Sequence, residues 1–180
     1  MPTNWTKSPS IRVVGEEEPI EIGFDAVAAY HGQAALAMLA VTFQGLRAAF
    51  AALSPADAPC RSGLSVVSGH PGPGVRDAFE FVTRGVTRNA YVVDRSLPDA
   101  RFNPHGDMSY SFRISLDGRT VQVVLRDDVL PQRFFEVGSI KDKTASEAAE
   151  YSALKRQIAS RVLASEPETL FVLKTLNSTN

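Results

Sequence analysis

The sequence has almost no cysteine: Cys60 is its only one. A single thiol excludes a disulfide within the chain, and it also excludes an iron–sulfur cluster or zinc site built from several thiolates of one chain. Cys60 lies between Pro59 and Arg61, where a guanidinium can favour the thiolate form and activate the sulfur. The alternative, an inert structural thiol, stays open.

The sequence also lacks an excess of either charge. Its 19 basic and 20 acidic side chains leave a net charge of -1, so no broad positive field is available for nucleic acid or anionic lipid. The longest apolar run, "AALAMLAV" at 34–41, is far shorter than the about 20 residues that cross a bilayer. Nothing near the N-terminus resembles the apolar core of a secretion signal. We therefore expect a soluble, cytoplasmic protein with no nucleic-acid or membrane partner.

The sequence does contain enough apolar residues to form one hydrophobic core. With 180 residues and 44% apolar content, we expect a single α+β domain at 20–180, preceded by a flexible N-terminal arm at 1–19. From Phe24 to Leu53, apolar residues recur every three or four positions, which predicts a long helix with a potential break at Gly32 and a stop at Pro55.

The segment "SYSFRISLDGRTVQVVLRD" at 109–127 predicts an antiparallel hairpin over 109–126. A two-residue turn at Asp117-Gly118 gives the chain one apolar face and one polar face, and a shift of one residue would mix them. The apolar face then pairs Leu116 with Arg119, Ile114 with Val121, Phe112 with Val123 and Tyr110 with Leu125. The polar face pairs Ser115 with Thr120, Arg113 with Gln122 and Ser109 with Arg126.

Shorter signals complete the predicted fold. Strands are predicted at 63–69 and 89–95, and a helix over 75–82 ends near Gly85. The connection at 96–107 is interpreted as a mobile or gating loop. Thr144 and Glu147 have the spacing of a capping box that opens a long C-terminal helix, and the segment 169–176 is either a strand or a short helix. Together these elements predict a mainly antiparallel sheet packed with long N-terminal and C-terminal helices.

The loop "GHPGPG" at 69–74 joins the first of those strands to the helix after it. It lacks the residues of a phosphate-binding loop and the spacing of a dinucleotide fingerprint. One interpretation is a tight connection that needs glycine and proline for its backbone. The other is a small-ligand site at the start of the helix, where free N–H groups favour an anion. Its candidate ligand-binding residues are His31, His70, Gly72, Gly74, Arg76 and Asp77.

His31 falls on the apolar stripe of the first long helix. It is therefore either a core histidine whose ring nitrogens are satisfied by the protein, or a buried ligand or proton carrier. If the loop folds over that helix, His31 and His70 meet.

The order of these parts resembles domains related to the E-type subunit of formylmethanofuran dehydrogenase. The resemblance rests on four segments, which span roughly residues 20–176: "FDAVAAYHG", "DAFEFVT", "FRISLDGRTVQVVL" and "VLASEPETLFVLKTL". It implies an α+β domain, a homodimer, and a cleft in which a metal can bind.

The residues that would hold this metal are mostly replaced. The family's first helix carries a His-Gly-His-x-Cys-Pro-Gly motif, of which His31 and Gly32 remain, while Gln33 and Ala35 replace the second histidine and the cysteine. Gly74 and Gly85 stand at the two further cysteine positions, and the zinc ribbon that many members append is not found in these 180 residues. His31 and His70 are the remaining candidates for zinc or another divalent metal, and Asp77, a second chain or water would have to complete the ligand set.

Two functions follow from this pattern. The first is a binding or accessory module for a small anionic or acyl ligand, with a degenerate metal site. The second is an enzyme that acts on a small one-carbon or acyl-type substrate through His31 and His70 as acid and base. The missing cysteines favour the first.

Overall fold

The computed structural model describes residues 9–32 and 34–176. The helices are α1 Phe24–His31, α2 Leu36–Leu53, α3 Pro73–Thr83, α4 Gln132–Ser139, α5 Ala145–Ala164 and α6 Pro167–Leu170. The strands are β1 Ser10–Val14, β2 Pro19–Gly23, β3 Leu64–Ser68, β4 Tyr91–Val93, β5 Ser111–Leu116, β6 Arg119–Leu125 and β7 Phe171–Leu176. These elements confirm the α+β class.

Five strands form the main sheet in the order β4-β3-β5-β6-β7. β3 and β4 run parallel, and the other neighbours run antiparallel. The predicted hairpin register is confirmed from Leu116–Arg119 to Phe112–Val123, and the ladder ends at Ser111–Val124. The Leu125 N–H donates to the carbonyl of Tyr110, in keeping with the next predicted pair. The outermost predicted pair, Ser109 with Arg126, lies beyond this ladder, and the Arg126 N–H points to the β7 side, where it donates to the carbonyl of Leu170.

The predicted first helix is two helices, which separate at Gly32. Gly32 has a φ of 82°, in the left-handed region that glycine adopts readily, and its N–H closes α1 on the carbonyls of Ala28 and Ala29. α2 then packs against the sheet and α5. By length and composition α2 would suffice to cross a membrane, but 83% of it is buried inside the fold. It is therefore the core helix.

The flexible arm predicted at 1–19 is not what the structure shows from residue 10 onward. β1 pairs with β2 in a separate two-stranded sheet, and Ile11 and Val13 are buried in the core. The cause is the alternation of Ile11 and Val13 with polar neighbours, which is a strand pattern. Residues 1–8 lie outside the described residues.

The remaining predictions fall close to the structure. β3, β4 and α3 are confirmed, although Arg84, with a φ of 55°, ends α3 one residue before Gly85. Thr144 and Glu147 form both hydrogen bonds of the capping box. The undecided segment near the C-terminus is mainly the strand β7, which pairs with β6. α4 has no counterpart among the predicted elements.

Candidate functional site

The loop at 69–74 is tied to the strand it leaves. The Ser68 hydroxyl donates to the carbonyl of His70 at 2.9 Å and accepts from its N–H at 3.2 Å. Gly72 then caps α3 with extended backbone angles, and Pro73 opens the helix, where its missing N–H costs nothing. The loop therefore has a defined shape that sets the direction of the His70 ring.

The His70 ring is held by its own loop. The Gly72 N–H donates to His70 Nδ1 at 2.9 Å, so the proton of the neutral imidazole is on Nε2. The residue is only 8% exposed, and its ring lies edge-on to Tyr110 with 5.0 Å between centroids. Burial lowers the pKa of His70 to about 4. At neutral pH the ring is therefore uncharged, and Nε2–H is a hydrogen-bond donor.

His70 lines a cavity of about 270 Å³, which we call the His70 cavity. Its walls come from the loop at 69–74, the segment at 103–110, α2, α4 and α5. They consist of aromatic, methionine, histidine and small or uncharged polar residues. The lining comprises Met38, His70, Asn103, His105, Met108, Tyr110, Phe134, Phe135, Gly138, Ser139 and Tyr151.

Tyr110 provides a second polar group in this wall. Its hydroxyl accepts a hydrogen bond from Asn103 Nδ2 at 3.1 Å, and burial raises its pKa to about 12. The hydroxyl is therefore protonated at neutral pH, and within the described part of the chain its hydrogen has no acceptor. Phe102 stacks on the Tyr110 ring and fixes its plane, with 5.0 Å between centroids. The segment interpreted as a gating loop thus forms one wall of the cavity, and its gating role stays a prediction.

α4 and α5 supply the opposite, aromatic wall. Phe134 stacks on Tyr151 with 5.5 Å between centroids. Lys143 and Lys155 place their ammonium groups 5.2 and 4.8 Å from the centre of the Tyr151 ring. Lys143 also donates to the carbonyls of Gly138 and Ile140, and Lys155 donates to that of Ala34. Both cations are therefore bound by the protein rather than lining the cavity.

The other predicted site residues form a separate cluster. His31 Nδ1 lies 2.8 Å from Asp77 Oδ2, and Arg76 Nη1 lies 3.3 Å from Asp77 Oδ1. The side chains of His31 and Asp77 are 11% and 23% exposed, so their hydrogen bond is largely shielded from water. It joins the last turn of α1 to α3. Of the two interpretations of His31, this bond favours a histidine satisfied by the protein.

The structure thus divides the predicted ligand site into two places. His70 lines the His70 cavity, and Gly72 is joined to it only through its hydrogen bond to the His70 ring. The described lining of that cavity does not include His31, Arg76 or Asp77. Gly74 lies on the His31 side, because a Cβ placed on it would be 3.7 Å from His31 Nε2. The division follows from the Gly72 hydrogen bond and the contact with Tyr110, which fix the His70 ring in the cavity wall.

The residues present do not fit the metal that the resemblance implies. A Cβ on Gly74 would lie 2.6 Å from the Ala35 Cβ, so close packing fills the region in which the family's thiolates would stand. His70 has Nδ1 occupied and Nε2 protonated, so neither nitrogen offers a free lone pair to a metal. Across residues 9–32 and 34–176, no group of three or more His, Cys, Asp or Glu is placed to hold an ion. Gln33, at the second histidine position, lies outside the described residues.

Cys60 has a different environment from the one expected. Its sulfur lies 3.1 Å from the Ser62 hydroxyl, and hydrogen bonding with Ser62 lowers the pKa of the thiol. The Arg61 guanidinium points elsewhere and donates to the carbonyls of Phe81 and Val82. Activation by Arg61, one of the two alternatives that the sequence leaves open, is therefore not what lowers the pKa of this thiol, and hydrogen bonding with Ser62 is the main cause of the shift.

Sequence reasoning missed most of the cavity wall. The hairpin pattern predicts Tyr110 only as a buried strand residue, and Asn103, Phe135 and Tyr151 carry no functional signal. These residues come from segments far apart in the chain, so only the tertiary fold brings them together. No protein-family model and no curated protein sequence matches this chain.

Proposed function

We propose that this protein is a cytoplasmic small-ligand-binding module, related to the E-type subunit of formylmethanofuran dehydrogenase, whose metal-binding residues have been replaced. It holds a compact anionic or acyl ligand in the His70 cavity. The observation that carries this proposal is the 2.9 Å hydrogen bond from the Gly72 N–H to His70 Nδ1 at the wall of that cavity.

This bond supports ligand binding because it occupies Nδ1 of His70 and so leaves Nε2–H as the hydrogen-bond donor of the ring. A ligand oxygen that accepts from His70 Nε2–H is matched to a group that would otherwise lack a protein partner in the described structure. Binding sites for small molecules are mostly apolar, with a few placed polar groups that orient the ligand. A volume of about 270 Å³ lies just below the usual range of about 300–1,000 Å³, which favours a small ligand.

The alternative function, acid–base catalysis by His31 and His70, has less support. A general base needs an unprotonated nitrogen within reach of substrate. His70 has its unprotonated nitrogen occupied by Gly72, and its low pKa makes its neutral form a weak base. His31 uses Nδ1 on Asp77 and lies outside the described lining of the cavity. Both observations favour a role for His70 as a hydrogen-bond donor to a ligand over a role in proton transfer.

The proposal is tested by ligand-induced thermal stabilisation. We expect at least one of acetate, butyrate, benzoate, acetamide and benzamide to raise the unfolding temperature in a saturable way, because a ligand that binds only the folded state stabilises it by mass action. The shift should be lost in His70→Gln and kept in the matched control His31→Gln, with backbone NMR spectra to verify that both variants are folded. Loss of the shift in His31→Gln with retention in His70→Gln would refute the proposal.

The proposed partner is a second copy of this chain. α2 contributes little free surface, since its apolar residues serve the core, but β7 lies at an edge of the sheet with Val172 and Leu173 about two-fifths exposed. Antiparallel pairing of two copies about Leu173 would set Val172 opposite the partner's Lys174, so the two lysines do not face each other. Light scattering should report a dimer that Leu173→Asp dissociates and that Val92→Asp, on the opposite edge, does not. A monomer in the unmodified protein would refute the homodimer.

A further inference from the structure

The His70 cavity has an uncharged lining. Its polar groups are imidazole, phenol, amide and hydroxyl groups, and no Lys, Arg, Asp or Glu side chain belongs to it within the described residues. His70 and Tyr110 themselves are neutral at pH 7, since burial lowers the pKa of the first and raises that of the second. The remaining histidine of the lining, His105, is exposed to solvent.

The two lysines that lie against the Tyr151 ring are already hydrogen-bonded to the protein. Lys143 and Lys155 stand against the Tyr151 ring and donate to backbone carbonyls at 3.2 and 2.8 Å. To pair with a ligand inside the cavity, either lysine would have to give up those carbonyls. A carboxylate that entered the cavity would therefore lose part of its hydration without gaining a counter-ion, and this is unfavourable.

A neutral carbonyl oxygen suits the same cavity. It has two lone pairs, and two neutral donors are available: Nε2–H of His70 and the O–H of Tyr110, whose oxygen already accepts from Asn103. The two rings are neighbours, with 5.0 Å between their centroids. The ligand oxygen would then be satisfied as the polar groups of a protein interior are.

The rest of the wall suits a flat apolar group. Tyr110, Phe134, Phe135 and Tyr151 present ring surfaces, and Met38 and Met108 add flexible thioethers that adapt to a ligand's shape. A cavity of about 150 Å³ lined by apolar side chains accommodates benzene. About 270 Å³ has room for such a ring together with one carbonyl substituent.

Resting on the proposed function, we infer that the ligand of the His70 cavity is a neutral carbonyl compound, such as an amide, ester or ketone, with an aromatic or similarly flat apolar body. Its carbonyl oxygen accepts from His70 and Tyr110, and its body lies against the aromatic wall of α4 and α5. Of the two ligand classes that the sequence leaves open, this selects the acyl class over the anion.

The experiment compares benzamide with benzoate at pH 7. The two probes have nearly the same shape and differ in charge, so the ratio of their dissociation constants isolates the charge. We expect benzamide to bind at least tenfold more tightly than benzoate by ligand-observed NMR or calorimetry. Acetamide, which keeps the carbonyl and lacks the ring, should bind at least tenfold more weakly than benzamide.

Variants assign the binding to this cavity. Tyr110→Phe removes one donor and preserves the ring, so it should weaken benzamide about three- to tenfold while the backbone NMR spectrum stays native. Ser62→Ala, a polar change away from the cavity lining, should leave both affinities unchanged.

The outcomes separate the two claims. Benzoate binding as tightly as benzamide, or more tightly, in a manner that His70→Gln abolishes, would overturn the neutral-carbonyl inference and leave the proposed function standing. Acetamide binding as tightly as benzamide would overturn the flat-body part of the inference. Benzamide affinity unchanged in Tyr110→Phe would overturn the assignment of that donor. Absence of saturable binding by acetate, butyrate, benzoate, acetamide and benzamide would overturn both the inference and the proposed function.

Discussion

The backbone N–H of Gly72 donates to Nδ1 of His70, and the two residues are separated by a single proline. Gly72 therefore decides which nitrogen of the imidazole carries the proton, although it contributes no side chain. A Cβ at this position would lie 2.5 Å from His70 Cε1 and 2.9 Å from Nδ1, so the observed ring position requires glycine.

Gly72→Ala should abolish binding in the His70 cavity without unfolding the protein. The new methyl group displaces the imidazole and breaks its hydrogen bond, so we expect at least a tenfold loss of benzamide affinity by calorimetry. Pro71→Ala is the matched control, because Pro71 is exposed in the same loop. Unchanged affinity in Gly72→Ala would show that the ring position does not matter for binding.

Stability should fall between pH 7.5 and pH 5 because of His70. Its pKa is about 4 in the folded protein and about 6.5 when unfolded, so over this window the unfolded chain binds a proton that the folded protein does not. This contribution is therefore present above pH 6.5 and lost as the pH falls toward 4, at 1.36 kcal/mol per pKa unit, which gives about 2 kcal/mol at pH 5 and about 3 kcal/mol at pH 4. Urea unfolding at pH 7.5 and pH 5 measures the loss of about 2 kcal/mol.

The variant His70→Gln isolates that pH dependence. Glutamine does not titrate, so the difference in unfolding free energy between pH 7.5 and pH 5 should shrink by most of the His70 contribution. If His70→Gln shows the same difference in unfolding free energy as the wild type, the pH dependence arises from other titratable groups.

Gly138→Ala should narrow the cavity and spare the fold. A Cβ on Gly138 would lie 3.3 Å from the Tyr151 hydroxyl, inside the aromatic wall. Gly138 lies in the last turn of α4 and does not have a positive φ, so its backbone accepts alanine. We expect unchanged or slightly higher thermal stability and a several-fold weaker affinity for benzamide. Equal benzamide affinity in the wild type and in Gly138→Ala would show that the ligand does not contact α4.

Asp77→Asn should affect stability and leave binding intact. The variant replaces a charged acceptor of His31 by a neutral amide, and shielded hydrogen bonds to charged groups contribute about 1.5–3 kcal/mol. We expect a loss of about 1–2 kcal/mol in the free energy of unfolding, with benzamide affinity within twofold of wild type. A tenfold loss of affinity would instead join the His31 cluster to the ligand site.

The parts of the fold that sequence could predict are those set by local rules. The Asp117-Gly118 turn and the alternation around it determine the register from Phe112 to Val123, and Thr144 with Glu147 determines the start of α5. The segment of β7 could not be assigned because a short apolar run suits a strand or a helix. Pairing with β6 decides it.

The candidate site was less predictable because it depends on contacts between distant segments rather than on local rules. The sequence identifies His70, Gly72 and the loop that carries them, since glycine and proline mark its conformation. It does not reveal that the ring turns toward Tyr110 rather than His31, because that depends on one hydrogen bond and on contacts between distant segments. The aromatic residues of α4 and α5 carry an ordinary core pattern, which gives no sign that part of their surface faces a cavity.

β3 has a neighbour on each side, β4 and β5, so the strand that delivers His70 is held within the sheet. The donor is thereby positioned before any ligand arrives, and little conformational entropy remains to be lost when one does. Association with the cavity should accordingly be a single kinetic step, with affinity differences among ligands expressed mainly in how fast they leave.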